Sequence, residues 1–217
     1  MKNVYFISGL GADKRAFGFL DLSFCNPVFI DWVEAKPKET LPEYALRLRS
    51  LIPEENPIVV GLSFGGMLTT EMAKQNPNLK AIIVSSNKLP TEFPTLLKIG
   101  KYLPAYKWTS GKFNKKFNQT FSWFLGVKGE EQRKVRQALI RDSDPVFTKW
   151  AIEAILHWDN TVVPKNLIHI HGTADKLLPY RYVKADYTIQ DGEHLMVMDK
   201  AEEVGNLLKR LIVDETG

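Results

Sequence analysis

The chain has 217 residues, 44% hydrophobic and 25% charged, a balance that suits one globular domain with an insertion and excludes disordered, collagenous and membrane-spanning classes. Its net charge of +4 is unevenly spread. Residues 88–150 carry 13 Lys and Arg against 5 Asp and Glu, and no nucleic-acid module accompanies that excess.

The opening MKNVYFISGL reads as a strand, Val4 to Ser8, running into a glycine turn with no basic leader before it, so no signal peptide is expected. No apolar run is long enough to cross a bilayer, so no stable membrane insertion is expected. Cys25 is the single cysteine; it excludes an internal disulfide, fits a cytoplasmic location and reads as a packed thiol. A second strand is predicted over Val28 to Trp32. Thr40 and Pro42 then open a helix whose Tyr44, Leu48, Leu51 and Ile52 recur at helical spacing. Ile58 to Leu62 is a β-branched run ending in GLSFGG, and Met67 to Gln75 is a helix stopped by Asn76 and Pro77. Ala81 to Ser85 is the next strand.

Residues 88–163 break this rhythm, with no strand-like alternation but with amphipathic stretches such as EEQRKVRQALI and PVFTKWAIEAIL. They read as a helical insertion placed as a lid over the strand ends, dividing a core of residues 1–87 and 164–217. Two further strands, Leu167 to His171 and Ala185 to Gln190, precede a helix over Ala201 to Val213. Strands alternating with helices, several apolar on both faces, predict a parallel sheet of about six strands covered by helices on both sides.

GLSFGG raises a chemical question, because it sets Ser63 in a sharp turn between a buried strand and a helix. Such a turn strains the serine backbone and needs residues without a Cβ two positions either side. A phosphate-cradling turn is the competing reading, but neither GxGxxG nor a following lysine is present. A nucleophilic serine needs a base and a carboxylate to hold it. The chain offers four histidines. His157 reads as packed or solvent-facing, His169 as a core residue and His171 as a hydrogen-bonded turn residue. His194 lies in the loop before the last helix and is the best base. For the carboxylate, Asp175 follows the end of its strand, where ligand-facing groups of open α/β sheets lie. Glu193 is its rival, although adjacent side chains diverge.

Ser63, Asp175 and His194 fall in the order of the α/β-hydrolase superfamily, which the chain resembles from Val4 to the C-terminus. GLSFGG is similar to the nucleophile elbow, HGTADKLLP to the acid loop and DGEH to the histidine loop. The resemblance implies an α/β-hydrolase fold without the two N-terminal strands and with no cofactor or metal. It also implies an oxyanion hole built from the backbone N–H groups of Phe64 and Leu10, with Ser8 standing where the family usually has histidine. The function it implies is a serine hydrolase, foremost a carboxylic-ester hydrolase, acting on a small-molecule ester or thioester. The same fold also serves lyases and ligand-binding proteins, which is the alternative. Aromatics of the lid such as Trp123 and Phe124 suggest an apolar acyl or aromatic substrate part, although most such rings are expected to pack the lid's small core against the sheet.

Overall fold

The computed structural model describes residues 1–95 and 124–214. Six parallel strands form one sheet in the order β2-β1-β3-β4-β5-β6: β1 (Asn3–Ile7), β2 (Asn26–Ile30), β3 (Ile58–Leu62), β4 (Lys80–Val84), β5 (Leu167–Gly172) and β6 (Tyr187–Ile189). Among the described residues the main helices are α1 (Leu41–Arg49), α2 (Phe64–Gln75), α3 (Glu130–Asp142), α4 (Pro145–His157), α5 (Met196–Asp199) and α6 (Ala201–Val213). Trp123, read from sequence as a substrate-facing aromatic, lies outside the described residues.

Period-two alternation sorts each strand between two apolar layers. Val4, Phe6, Val60, Ile82 and Ile170 face the layer of α3, α5 and α6, whereas Tyr5, Ile7, Val59, Ala81 and Ile83 face that of α1, α2 and α4. Both faces are therefore covered, and central β3 is buried at every residue.

Among the strands, the two edges differ most from the sequence reading. β2 begins two residues early and takes in Pro27, which an edge position tolerates because that strand pairs with β1 alone. It ends at Ile30, and Trp32 leaves the strand to donate its indole N–H to the Ala12 carbonyl at 2.9 Å. β6 shrinks to three residues at the other edge. α1 carries the expected cap, the Thr40 hydroxyl accepting from the Glu43 N–H while the Glu43 carboxylate accepts from the Thr40 N–H.

The segment between β4 and β5 is tied to the core through α4. Trp150 Nε1 donates to the Glu39 carbonyl at 2.9 Å and Trp158 Nε1 to buried Glu71 at 2.7 Å. Phe147 packs against Trp32 and Phe64, with ring centroids 5.0 and 6.3 Å apart. Phe147 and Trp150 thus pack α4 against Tyr44 of α1, Phe64 of α2 and Trp32 beyond β2. Among the described residues no helix is long and apolar enough to cross a membrane.

Candidate active site

β1 and β3 are neighbours, but the chain after β1 turns to one face and α2 after β3 to the other. Such a switch point opens a crevice at the carboxyl ends of the strands. Ser63 stands there, the single residue between β3 and α2, with φ 52° and ψ −116°. The glycines around it have a steric cause. A Cβ at Gly61 would overlap the Thr69 hydroxyl and the Gly65 carbonyl, and one at Gly65 would overlap the carbonyls of Ile7 and Ser8. The helix begins directly at Phe64 rather than at Met67, with Gly65 and Gly66 in its first turn.

Hydrogen bonds on three sides fix the elbow. The Ser63 N–H donates to the Val84 carbonyl at 2.9 Å, and the Ser63 carbonyl accepts from Gly66 N–H at 2.9 Å and from the Ser86 hydroxyl at 2.6 Å. Sequence reasoning missed Ser86; its one signal is a small hydroxyl just past β4, the strand beside the elbow. Ser85 before it has φ 47°, a left-handed conformation uncommon for a residue with a side chain.

The structure brings the three separated residues together. His194 Nε2 lies 2.9 Å from Ser63 Oγ, and His194 Nδ1 lies 2.8 Å from Asp175 Oδ2. Asp175 and His194 are both buried. The other carboxylate oxygen of Asp175 accepts from the backbone N–H groups of Leu177 at 2.9 Å and Leu178 at 2.8 Å, a turn that aims the side chain. Burial pushes this carboxyl up, but the charge and hydrogen bond of His194, with His171 and the Leu178 N–H, outweigh it, so its pKa is lowered. The acid and histidine loops are stitched together, Ala174 N–H donating to the Gly192 carbonyl at 3.0 Å and Asp191 N–H to the Thr173 hydroxyl at 2.9 Å.

Glu193 does not reach the imidazole. Its carboxylate sits 3.3 Å from Lys176 Nζ and 4.0 Å from Lys128 Nζ. His157 is exposed at the end of α4, its Nδ1 2.8 Å from the Glu153 carbonyl. His169 is a buried strand residue. His171 is also in the strand, and its hydrogen bond runs to the turn, at the Leu178 carbonyl. Cys25 is buried, bonded to the Leu22 carbonyl, and its thiol is pushed up to about 11 by burial, so it is a packed thiol and no nucleophile.

The loop after β1 comes close to Ser63. Gly9 to Ala12 form a tight turn closed by Ala12 N–H to the Gly9 carbonyl at 3.0 Å, with Gly11 at φ 70° and Leu10 at its second position. The Ser8 hydroxyl and the Trp32 indole both donate to the Ala12 carbonyl, at 2.8 and 2.9 Å. Ser8 therefore braces the loop. Among the described residues, neither the Leu10 N–H nor the Phe64 N–H has a hydrogen-bond partner. Beside this loop lies a cleft of about 740 Å³, with Gly11, Trp32, Leu139, Val146, Phe147 and Trp150 in its wall; Ser63 and His194 are not in its lining. Phe124 is half-buried and is not in that lining either. Among the described residues no cluster of three or more His, Cys, Asp or Glu is arranged to hold a metal ion.

A parallel sheet that presents a serine on a strand-to-helix elbow at its switch point is the architecture of α/β hydrolases. The chain belongs to the Alpha/beta hydrolase family, whose sequence profile matches residues 4–206. Comparison with curated proteins gives no match. Among solved structures, the chain is similar to a thermophilic esterase from Thermogutta terrifontis, at 15% identity and TM-score 0.72, covering 98% of this chain and 89% of that one. It is similar to a lipase-esterase related protein from Clostridium acetobutylicum, at 17% identity and TM-score 0.72, covering 97% and 94%. It is also similar to a bromoperoxidase from Bacillus anthracis, at 14% identity and TM-score 0.68, covering 95% and 90%. At these identities the likeness establishes the fold.

Proposed function

We propose that this protein is a serine hydrolase that cleaves carboxylic esters through an acyl-enzyme, with Ser63 as nucleophile, His194 as base and Asp175 as the group that orients it. The observation that carries the reading is the single imidazole bridging Ser63 Oγ at 2.9 Å and Asp175 Oδ2 at 2.8 Å. A serine hydroxyl is a weak nucleophile until a base takes its proton, and the imidazole must present the right tautomer to do so. The carboxylate accepts the Nδ1–H, which leaves the Nε2 lone pair facing the serine.

As Ser63 Oγ adds to the ester carbonyl, its proton passes to His194 Nε2 and the carbonyl electrons move onto oxygen. The N–H groups of Phe64 and Leu10 stabilise that oxyanion, one such donor contributing about 3 to 4 kcal/mol in acyl-transfer enzymes. The intermediate collapses when the imidazolium returns its proton to the leaving alkoxide. Water then attacks the acyl-serine by the same route, releasing the acid and restoring the serine. Asp175 stays ionised throughout, as its lowered pKa supports.

The cleft beside the Leu10 turn, with Trp32, Val146 and Phe147 in its wall, supports an ester or thioester with an apolar acyl or aromatic part. The segment 88–163 acts as a lid on this reading. Purified protein is expected to hydrolyse short nitrophenyl esters, and Ser63→Ala to lower kcat/KM by at least about 10⁴-fold. Wild-type protein that cleaves no ester, thioester or amide would overturn the reading.

A further inference from the structure

We propose that His171 is a positioning residue for Asp175, braced by His169, so that a buried histidine pair fixes the carboxylate presented to His194. The proposal rests on the triad reading above.

β5 sends His169 and His171 to the same face two residues apart, while Ile168 and Ile170 take the opposite one. Both histidines are fully buried. His171 Nε2 lies 2.8 Å from the Leu178 carbonyl and 3.5 Å from Asp175 Oδ2, the oxygen that His194 uses. Leu178 in turn donates its N–H to Asp175 Oδ1 at 2.8 Å. One imidazole therefore grips the turn that presents the carboxylate and touches the field of the carboxylate itself.

The proton positions follow from chemistry. The Leu178 carbonyl can only accept, so His171 Nε2 carries a hydrogen. A neutral ring then has a lone pair at Nδ1, which lies 3.0 Å from His169 Nε2, so His169 donates there. Burial lowers the pKa of both rings, His169 well below the ordinary range, which agrees with a neutral pair. Among the described residues, the charged and titratable groups around His171 are His169 on β5, Asp175 in the acid loop, His194 in the histidine loop and Lys88 after β4. The Tyr180 ring stacks on it at 6.4 Å. Lys88 Nζ is engaged by the Lys184 carbonyl.

Two buried imidazoles are a costly way to fill a core that leucine would fill more cheaply. Their arrangement has a use if the turn Asp175 to Leu178 must stand still while charge develops on His194. A misplacement of about 1 Å in such a constellation costs about 100-fold in rate.

The test uses the full chain, with active sites counted by fluorophosphonate titration and ester hydrolysis followed across pH. His171→Leu keeps the volume and removes the donor; kcat per titrated site is expected to fall about 100-fold with KM within about twofold. His171→Gln restores a donor toward the Leu178 carbonyl and should recover to within about fivefold of wild type. His169→Leu keeps the grip on Leu178 but frees the His171 tautomer, with an expected loss of about fivefold to tenfold. Should His171→Leu fail to fold, the other two variants carry the decision.

Wild-type kcat per titrated site in His171→Leu, or in His169→Leu, would overturn the proposal, as would a His171→Gln variant no more active per titrated site than His171→Leu. If Ser63→Ala is inactive while the histidine variants behave as wild type, this inference alone fails. If Ser63→Ala remains active, the triad reading fails first.

Discussion

The two faces of the sheet solve different problems. On the α6 side the strands contribute Val, Ile, Leu and Phe, packed against Val204, Leu208, Leu211 and Ile212, with Lys80 at the start of β4 donating to the Leu211 carbonyl. On the α2 side the same alternation starts apolar at Tyr5, Val59 and Ala81, then turns polar toward the carboxyl ends, where Ser85, Ser86, Asn87, His169 and His171 are buried. β5 shows the contrast within one strand, with Ile170 on one face and His171 on the other. One face supplies stability; the other trades some of it for fixed polar geometry beside Ser63.

Asp175→Asn strikes the polar side hardest. It should leave the fold intact and lower kcat by about 10⁴-fold, since an amide cannot enforce the imidazole tautomer. Circular dichroism together with kcat on an ester checks both halves. On the apolar side, Ile170→Ala removes a fully buried branched side chain and should cost about 2 to 5 kcal/mol of unfolding free energy. Urea titrations should show the same loss at pH 8 and pH 6, because no charge is involved.

Stability as a function of pH separates the faces directly. His169 and His171 have lowered pKa values in the folded protein, so the unfolded chain binds protons below about pH 6.5 that the folded chain does not. The unfolded state then holds more protons, so their contribution is present in full above that pH and is lost as pH falls. Each histidine adds at most about 1.4 kcal/mol per pH unit to the slope. His169→Leu should remove about one proton's worth of it, and an unchanged slope would contradict the neutral pair. Ser86→Ala, which deletes the donor to the Ser63 carbonyl, should lower kcat by about fivefold at a stability cost near 1 kcal/mol. Lys134→Ala, in an exposed ion pair with Glu130 on α3, should change neither activity nor Tm measurably.

Much of this architecture was legible because local pattern and global fold agree. The β-branched run Ile58 to Leu62 and the apolar stripe of Ala201 to Val213 are elements whose limits the structure reproduces residue for residue. GLSFGG, HGTADKLLP and DGEH mark three loops that the parallel topology gathers at one end of the sheet. The α2 start was misplaced because glycines, poor helix formers, occupy its first turn for steric reasons that only the neighbouring carbonyls reveal. Ser86, the Trp32 bond to Ala12 and the His171 bond to Leu178 were not legible. Each is a contact between segments that alternation and spacing do not pair. His171 illustrates the gap: the predicted strand already ended on it, but spacing does not reveal that its imidazole reaches the Leu178 carbonyl.

The most direct test of the triad is the intact mass of the protein after treatment with a fluorophosphonate, followed by peptide mapping. One phosphonyl group per chain on Ser63, with ester hydrolysis lost in proportion and with labelling abolished in Ser63→Ala and slowed by at least about 10³-fold in His194→Ala, is the predicted result. Labelling elsewhere, or full ester hydrolysis surviving complete modification of Ser63, would contradict it.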